Sequence, residues 1–468
     1  MTVSWEIRDE AVWSDGVPIS GSDFAFTLEY REAMNGCWDE DIAWRADFAA
    51  PGTVETVGDK SFALRFPSAT LEYEQLFRWI IPEHAVAGSS YCEDWIDTAW
   101  PAAGPFVVED WQRGESLTLV RNENYWKVDP NGGDRLPYLD GVEFRFIPET
   151  QEILTAFRGR EVDVIQTPPS AETIGALEAM SDDGVAVSVL SGPVWEHLNF
   201  QFGPNNRNTE SLNRFVEYRQ AVAYALDLEQ LFTNIGYEEV QASYGFITHF
   251  TPAATSEPWR QYEYNPGLAR QLLATACQRA QRDCVANPPV MVLSTTSNAD
   301  FRPRFADGLQ EMLGAIGIEV RLELEDSQLF FGDTLDEGTY DVGEWAWVGS
   351  PGLGGLVSVF DLFDPDAPAP DGGNYYRWGT PDSIVRNNDA VSEMRALLSA
   401  IRTTVDRAEI LALAGQIEEV LAREVVVIPT HARLVVGAVW ADEIAGFSMN
   451  STQASHTWNI EMWRRVDQ

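Results

Sequence analysis

An α/β fold in two lobes is what this sequence predicts, and three observations carry the prediction. Strand-like runs alternate with helical runs from Gly141 onward, the pattern of sheets covered by helices. That pattern breaks at Gly203-Pro204-Asn205-Asn206 and then starts afresh with longer helices. The chain has 468 residues, 45% of them hydrophobic and 12% aromatic, enough for two or three domains with a large core.

The elements follow in order. Val3 to Arg8 reads as a strand, and Asp15-Gly16 with Pro18 as a tight turn. Ser22 caps a helix with Asp23 in its first turn. Thr53 to Thr56 and Ser61 to Phe66 form a hairpin around Gly58-Asp59-Lys60, and a helix is expected near Leu71 to Trp79. A second hairpin opens at Gly104-Pro105-Phe106 and turns at Arg113-Gly114. Gly141 to Ile147 alternates as a strand should, Thr150 to Phe157 is helical, and Val162 to Ile165 is a buried strand. That succession predicts a βαβ unit and a parallel, doubly wound first lobe. Val185 to Leu190 and Val194 to Phe200 are two further strands. Beyond the break, helices are expected over Leu212 to Leu226, Leu228 to Ile235 and Pro266 to Arg279. A second βαβ set covers Val290 to Ser294, Asp300 to Ile316, Glu319 to Leu324 and Ser327 to Glu337, then a strand from Tyr340. Helices over Ala390 to Ile401 and Arg407 to Leu421 precede strands Val425 to Pro429 and Leu434 to Trp440. The last strand finds a sheet by returning to the first lobe. The expected division is therefore residues 101–203 with 431–468 as one lobe and 204–430 as the other. The two crossings would form a hinge beside a cleft.

The stretch Tyr340 to Gly352 carries the strongest candidate for binding. At strand period, Gly343, Trp345 and Trp347 share one face, with Glu344 and Ala346 on the other. The strand then gives way to a glycine-rich turn containing Gly349 and Ser350. Two flat rings beside unpaired backbone groups suit a ligand cleft, and two tryptophans on one strand face equally suit a core. Trp195, Glu196, His197 and Asn199 lie on a crossing strand, where a structural role and ligand contact are both open. Asn374 and Tyr375, with Tyr376 and Trp378, form a polar-aromatic cluster after the loop 364–373. Arg219 and Asp227 suit pairing between helices.

Charge and composition exclude several classes. The formal net charge is −41, and Lys60 and Lys127 are the only lysines. Such a surface repels phosphate, which argues against nucleic acid and against docking by charge on anionic lipid. High-salt adaptation or solubility outside the cell would explain the acidity. Of the four cysteines, Cys277 and Cys284 flank a short polar segment, a spacing that suits a small-loop disulfide and also two free thiols. No CxxC pair or clustered histidine accompanies them, which argues against zinc. No run of eighteen apolar residues occurs. The chain opens within a strand and without a secretory leader, so its natural start is expected to lie further upstream. No GxSxG, HExxH or P-loop is present, and His84, His197, His249, His431 and His456 are scattered. Catalysis is therefore not expected; a carboxylate pair for extracellular hydrolysis remains the remote alternative.

Five stretches taken together resemble one family. They are Trp13-Ser14-Asp15-Gly16, the block from Gly104-Pro105-Phe106 to Tyr125-Trp126, Gly159-Arg160-Glu161-Val162-Asp163, Tyr218 to Asp227, and Tyr340-Asp341 with its Trp-Val-Gly-Ser-Pro turn. In order and spacing they resemble the extracellular solute-binding proteins of ABC importers, family 5, the peptide/nickel class, lacking the usual N-terminal segment. The resemblance implies a periplasmic-binding-protein-like clamp of type II. Residues 1–100 would be an extra subdomain of its first lobe. It implies capture of an oligopeptide or peptide-like solute between the lobes and delivery to an ABC permease and ATPase complex. It also implies a monomer, no cofactor, and an extracytoplasmic location, periplasmic or as a cell-surface lipoprotein. An oligosaccharide or other non-peptide solute is the alternative, and a nickel or haem carrier would want His197 or His249 near the cleft. Tyr244 and Phe246 resemble the family's second-lobe cleft edge. In peptide-binding members an acidic residue just after the tryptophan strand holds the ligand's α-amino group; here Ser350 takes that place, and a hydroxyl does not offset an ammonium.

Overall fold

A computed structural model describes residues 1–34, 53–74, 76–247, 256–297, 301–386, 388–452, 454 and 456–466. Cys37 and His249 lie outside these residues. The chain gathers into two units: Met1–Leu190 with Val435–Gln468, and Ser191–Leu434. The sequence places these breaks at about 203 and 430. The difference arises because both crossing strands run on without interruption. Val185–Phe200 is one strand through Gly192 and Pro193, and Val427–Trp440 is one strand through Pro429.

In the first unit, β1 (Thr2–Glu6), β2 (Thr53–Gly58) and β3 (Ser61–Arg65) form an antiparallel sheet with β3 central. Its apolar face buries Phe62 and Leu64, and the helix Gly21–Met34 covers it through Phe24, whose ring stacks on Phe62 at 5.7 Å. A Cβ on Gly21 would lie 2.3 Å from the Ser61 carbonyl, so only glycine lets the helix start against this strand. The helix expected over Leu71 to Trp79 is not formed; among the described residues there is only a short turn at Glu72–Glu74. β4 (Phe106–Gln112), β5 (Ser116–Arg121) and β6 (Gly141–Arg145) make an antiparallel meander. The helix Thr150–Arg158 then leads to β7 (Val164–Thr167). The parallel βαβ unit expected here does not occur. β6 completes the meander, its Phe144 opposite Leu117, while β7 pairs antiparallel with the chain's last long strand. Strand spacing alone does not say which sheet a strand joins.

β8 (Val185–Phe200) carries the chain into the second unit. There β9 (Val290–Thr296), β10 (Glu319–Glu325), β11 (Val342–Val348) and β12 (Val427–Trp440) join it in the order β10-β9-β11-β8-β12. β10 and β11 run parallel to β9, as the second βαβ prediction required, and β11 runs antiparallel to β8. The helix Phe301–Ile316 spans the β9–β10 crossover with Phe305, Leu309 and Leu313 buried. The C-terminal half of β12 belongs to the first unit, pairing with β7 and packing Val439 with Phe106, Ile444, Ile460 and Trp463.

Arg219 and Asp227 serve the helices. Arg219 is buried and donates to the carbonyls of Asn213, Glu424 and Val425, closing the C-terminus of helix Arg407–Glu424. Asp227 caps helix Leu228–Asn234 through the Gln230 N–H. Cys277 and Cys284 form a disulfide at the end of helix Pro266–Arg279.

Candidate functional site

The two faces of the β8–β11 pair do different work. In register, Trp347 lies opposite Trp195, Trp345 opposite His197, and Gly343 opposite Asn199. These six share one face, and Glu196 and Glu344 share the other.

The first face is aromatic. Trp345 is fully buried, with Tyr340, Phe330 and His197 against it at 5.4, 5.8 and 5.2 Å and Tyr376 stacked at 5.9 Å. Its ring folds back over Gly343, where a Cβ would lie 2.2 Å from the indole. Trp195 is also buried, between His197 at 4.7 Å and Phe246, which stacks on it at 5.0 Å. Phe363 bridges Phe246 and Tyr376. Trp347 and Tyr375 are only half-buried, their centroids 5.5 Å apart, and Val348 beyond them is exposed. The ring cluster thus ends in a partly open aromatic edge.

Hydrogen bonds hold that edge. The Trp347 indole N–H donates to the Tyr376 hydroxyl at 3.0 Å, and that hydroxyl lies 3.1 Å from His197 Nε2. Burial drives the His197 pKa down to about 3, so the ring is neutral at physiological pH. The Tyr375 carbonyl accepts from Gln201 and from the Tyr340 hydroxyl. Buried Asn374 donates to the carbonyls of Asp364 and Trp378, fixing the loop that presents Tyr375. Buried Asn199 donates to the Gly343 carbonyl.

The strand ends at Val348. Gly349 is buried and donates to the Pro193 carbonyl; Ser350 is half-buried. The glycine-rich segment expected as a loop is largely helical, Gly352–Val359, with Leu353 and Leu356 buried. A Cβ on Gly355 would sit 2.0 Å from the Ser350 carbonyl, so the absent side chain is what lets this helix fold onto the turn.

The opposite face is ionic. Arg302 contacts both Glu196 oxygens at 3.3 Å and approaches Glu344 at 3.5 Å, while Arg433 donates to Glu196 at 2.6 Å. Thr295 donates to Glu344 at 2.6 Å. Burial raises the Glu344 pKa, and the neighbouring Glu196 charge raises it further. Burial also pushes Glu196 upward, but Arg302 and Arg433 outweigh it and hold it below the usual carboxylate range. Glu344 is therefore enclosed on the face away from the tryptophans. Thr295 and Arg302, which contact it, and Arg433, which pairs with Glu196, are not among the residues the sequence singles out. The available signal was an acid inside an apolar strand, which requires a buried partner.

Tyr244 lies apart from the rings, in a depression of about 220 Å³ lined also by Asp227, Glu229, Trp259, Tyr262 and Tyr264, with Arg260 at 4.2 Å over its ring. Phe246, two residues on, is buried, and its N–H donates to Glu418.

Residues 1–355 match the family profile described as bacterial extracellular solute-binding proteins, family 5 Middle. The chain belongs to this family. Among its relatives, the oligopeptide-binding protein OppA of Mycobacterium tuberculosis is 22% identical over 479 residues, covering 97% of this chain and 69% of that protein. Two solved structures share the fold of this solute-binding protein. A putative peptide binding protein AppA from Clostridium difficile has a TM-score of 0.77 at 18% identity, covering 99% of this chain and 89% of that one. NikA from Brucella suis, in complex with Fe(III)-EDTA, has a TM-score of 0.75 at 15% identity, covering 99% and 88%. The relatives are binding proteins. Among the described residues no helix is long and apolar enough to cross a membrane.

Proposed function

We propose that this protein is the substrate-binding component of an ABC importer that captures an extracellular oligopeptide or peptide-like solute and delivers it to a membrane permease. Family membership and the relatives named for oligopeptide binding support the reading. The observation that carries it in the molecule is the half-buried Trp347–Tyr375 edge beside Gly349 and Ser350. Two rings with adjacent backbone offer stacking and main-chain hydrogen bonds, which suit a peptide whatever its sequence. Trp345, Trp195, His197, Phe246, Asn199 and Asn374 support that edge from beneath, and Tyr244, in its separate depression, is a second candidate contact within the second unit.

The solute need not bring a free α-amino group. Ser350 supplies no charge, and Glu344 is enclosed with Thr295 and Arg302. A small-peptide mixture and its N-acetylated counterpart should therefore quench tryptophan fluorescence with similar affinity. Trp347→Ala should weaken binding of both by tenfold or more, on the order of 1.4 kcal/mol, in a protein that remains folded though with a lowered melting temperature from the lost Tyr375 contact and Tyr376 hydrogen bond. Unchanged binding in that variant would remove the aromatic edge from the site. Native mass spectrometry of material co-purifying with the protein then identifies the solute class.

A further inference from the structure

We propose that Tyr376 and His197 are positioning residues that hold Trp347 in one fixed orientation for ligand, through a directed hydrogen-bond relay. The inference rests on the reading above that Trp347 meets the solute. An indole N–H only donates, so at the 3.0 Å contact the Tyr376 oxygen is the acceptor. The phenol's own hydrogen must then go elsewhere, and His197 Nε2 at 3.1 Å is the acceptor in reach. This assigns His197 as the Nδ1–H tautomer, with its Nε2 lone pair occupied by the phenol. The relay so assigned runs from Trp347 Nε1–H to Tyr376 Oη–H to His197 Nε2.

Each member is placed by something other than the relay. His197 is fully buried on β8, opposite Trp345. Tyr376 is fully buried, its ring stacked on Trp345 at 5.9 Å and on Phe363 at 5.2 Å. Its backbone carbonyl accepts from Phe202 at 2.9 Å. Trp347, at the open end, is the one member with surface to offer, and the relay limits rotation of its ring. A pre-set ring gives up less freedom on binding than a mobile one. The same geometry leaves His197 Nε2 with no free lone pair for a metal while the relay stands.

The test separates orientation from binding. With 5-fluorotryptophan incorporated, the Trp347 ¹⁹F resonance is identified by its loss in Trp347→Phe. In unliganded wild-type protein it should be one narrow line. Tyr376→Phe keeps both ring stacks and removes only the hydroxyl. It should broaden or split that line, and indole N–H exchange at Trp347 should accelerate by about fivefold or more, the loss of one net hydrogen bond. His197→Gln retains a side-chain acceptor and should keep the narrow line. Affinity for the small-peptide mixture should fall by about fivefold in Tyr376→Phe, with less change in His197→Gln. An unchanged Trp347 line and unchanged exchange in a folded Tyr376→Phe protein would overturn the relay. Unchanged peptide affinity in Trp347→Ala, with Tyr376→Phe still disturbing the line, would instead overturn the binding role and leave the relay standing.

Discussion

Asp341 accepts side-chain hydrogen bonds from Asn206 at 3.0 Å, Asn208 at 2.8 Å and Asn213 at 3.0 Å, and one from the Val292 backbone at 3.0 Å. Burial raises its pKa, against the pull of these donors and of the Ser211 side chain toward the charged form. Asp341→Ala removes the carboxylate these donors share, leaving the Val292 N–H unpaired and the three asparagines with backbone carbonyls alone, and should cost about 3 kcal/mol in chemical unfolding, with Asp341→Asn losing less. That residue was legible as half of the Tyr340-Asp341 motif. Its role was not, because its partners come from 206–213 and 292, far off in sequence. Glu418 behaves differently. Burial lifts its pKa from 4.5 to about 7, outweighing the Ser256 side chain and the N–H groups of Phe246 and Ile247, which favour the charged form. Below pH 4.5 both folded and unfolded chains hold this proton, and stability is complete. Between about 4.5 and about 7 the folded chain keeps a proton the unfolded chain has released, so stability falls as pH rises through that window. The loss should total about 3 kcal/mol. Glu418→Gln should make the profile of melting temperature against pH less steep over this range, leaving the slope that Glu344, its pKa raised by burial to about 8, contributes in the same direction. A profile as steep as wild type would show that Glu418 does not keep its proton.

At the scale of elements, β11 shows what periodicity can and cannot deliver. Alternation along Gly343, Glu344, Trp345, Ala346 and Trp347 correctly separated an aromatic face from an acidic one, because strand geometry has a fixed period of two. It could not say that Trp345 would be enclosed and Trp347 half-open. That difference comes from rings at 330, 340 and 376 that close over the first and not the second. The helix Pro266–Arg279, which Asn265 caps, lies where the sequence places it, whereas Ser22, expected as a cap, is inside the helix Gly21–Met34. Helices are missed where glycine argues for a loop, since Gly355 is helical and admits close packing rather than a bend in the chain. Gly343 is the same kind of glycine. Gly343→Ala places a methyl 2.2 Å from the Trp345 ring, which is confined on several sides. The substitution should cost about 1–3 kcal/mol and alter the near-ultraviolet circular dichroism of the tryptophans. Wild-type stability and spectrum would show that Trp345 has room to move.

For the whole molecule, the charge visible in composition makes a claim that no single contact makes. The formal net charge is −41 over 468 residues. The ion pairs that offset it are mostly exposed, such as Arg160 with Asp442 and Glu443, and Arg279 with Glu217. Exposed pairs of this kind contribute little each and weaken in salt. Repulsion among the surplus carboxylates is of longer range and is relieved by salt as well. The screening length shortens from about 10 Å at about 0.1 M to about 3 Å at about 1 M. The two effects oppose each other, and the excess of acidic over basic residues, 73 against 32, decides between them. Compaction brings carboxylates together without enough partners, so the folded state suffers more from self-repulsion than the extended chain does. The melting temperature should therefore rise steadily from about 0.1 M to about 1 M sodium chloride, at a pH where the carboxylates are ionised. It should rise less at acid pH, where protonation has already removed much of the repulsion. A melting temperature that falls with salt at neutral pH would mean that the exposed arginine pairs, and not the surplus charge, dominate the electrostatics of the fold.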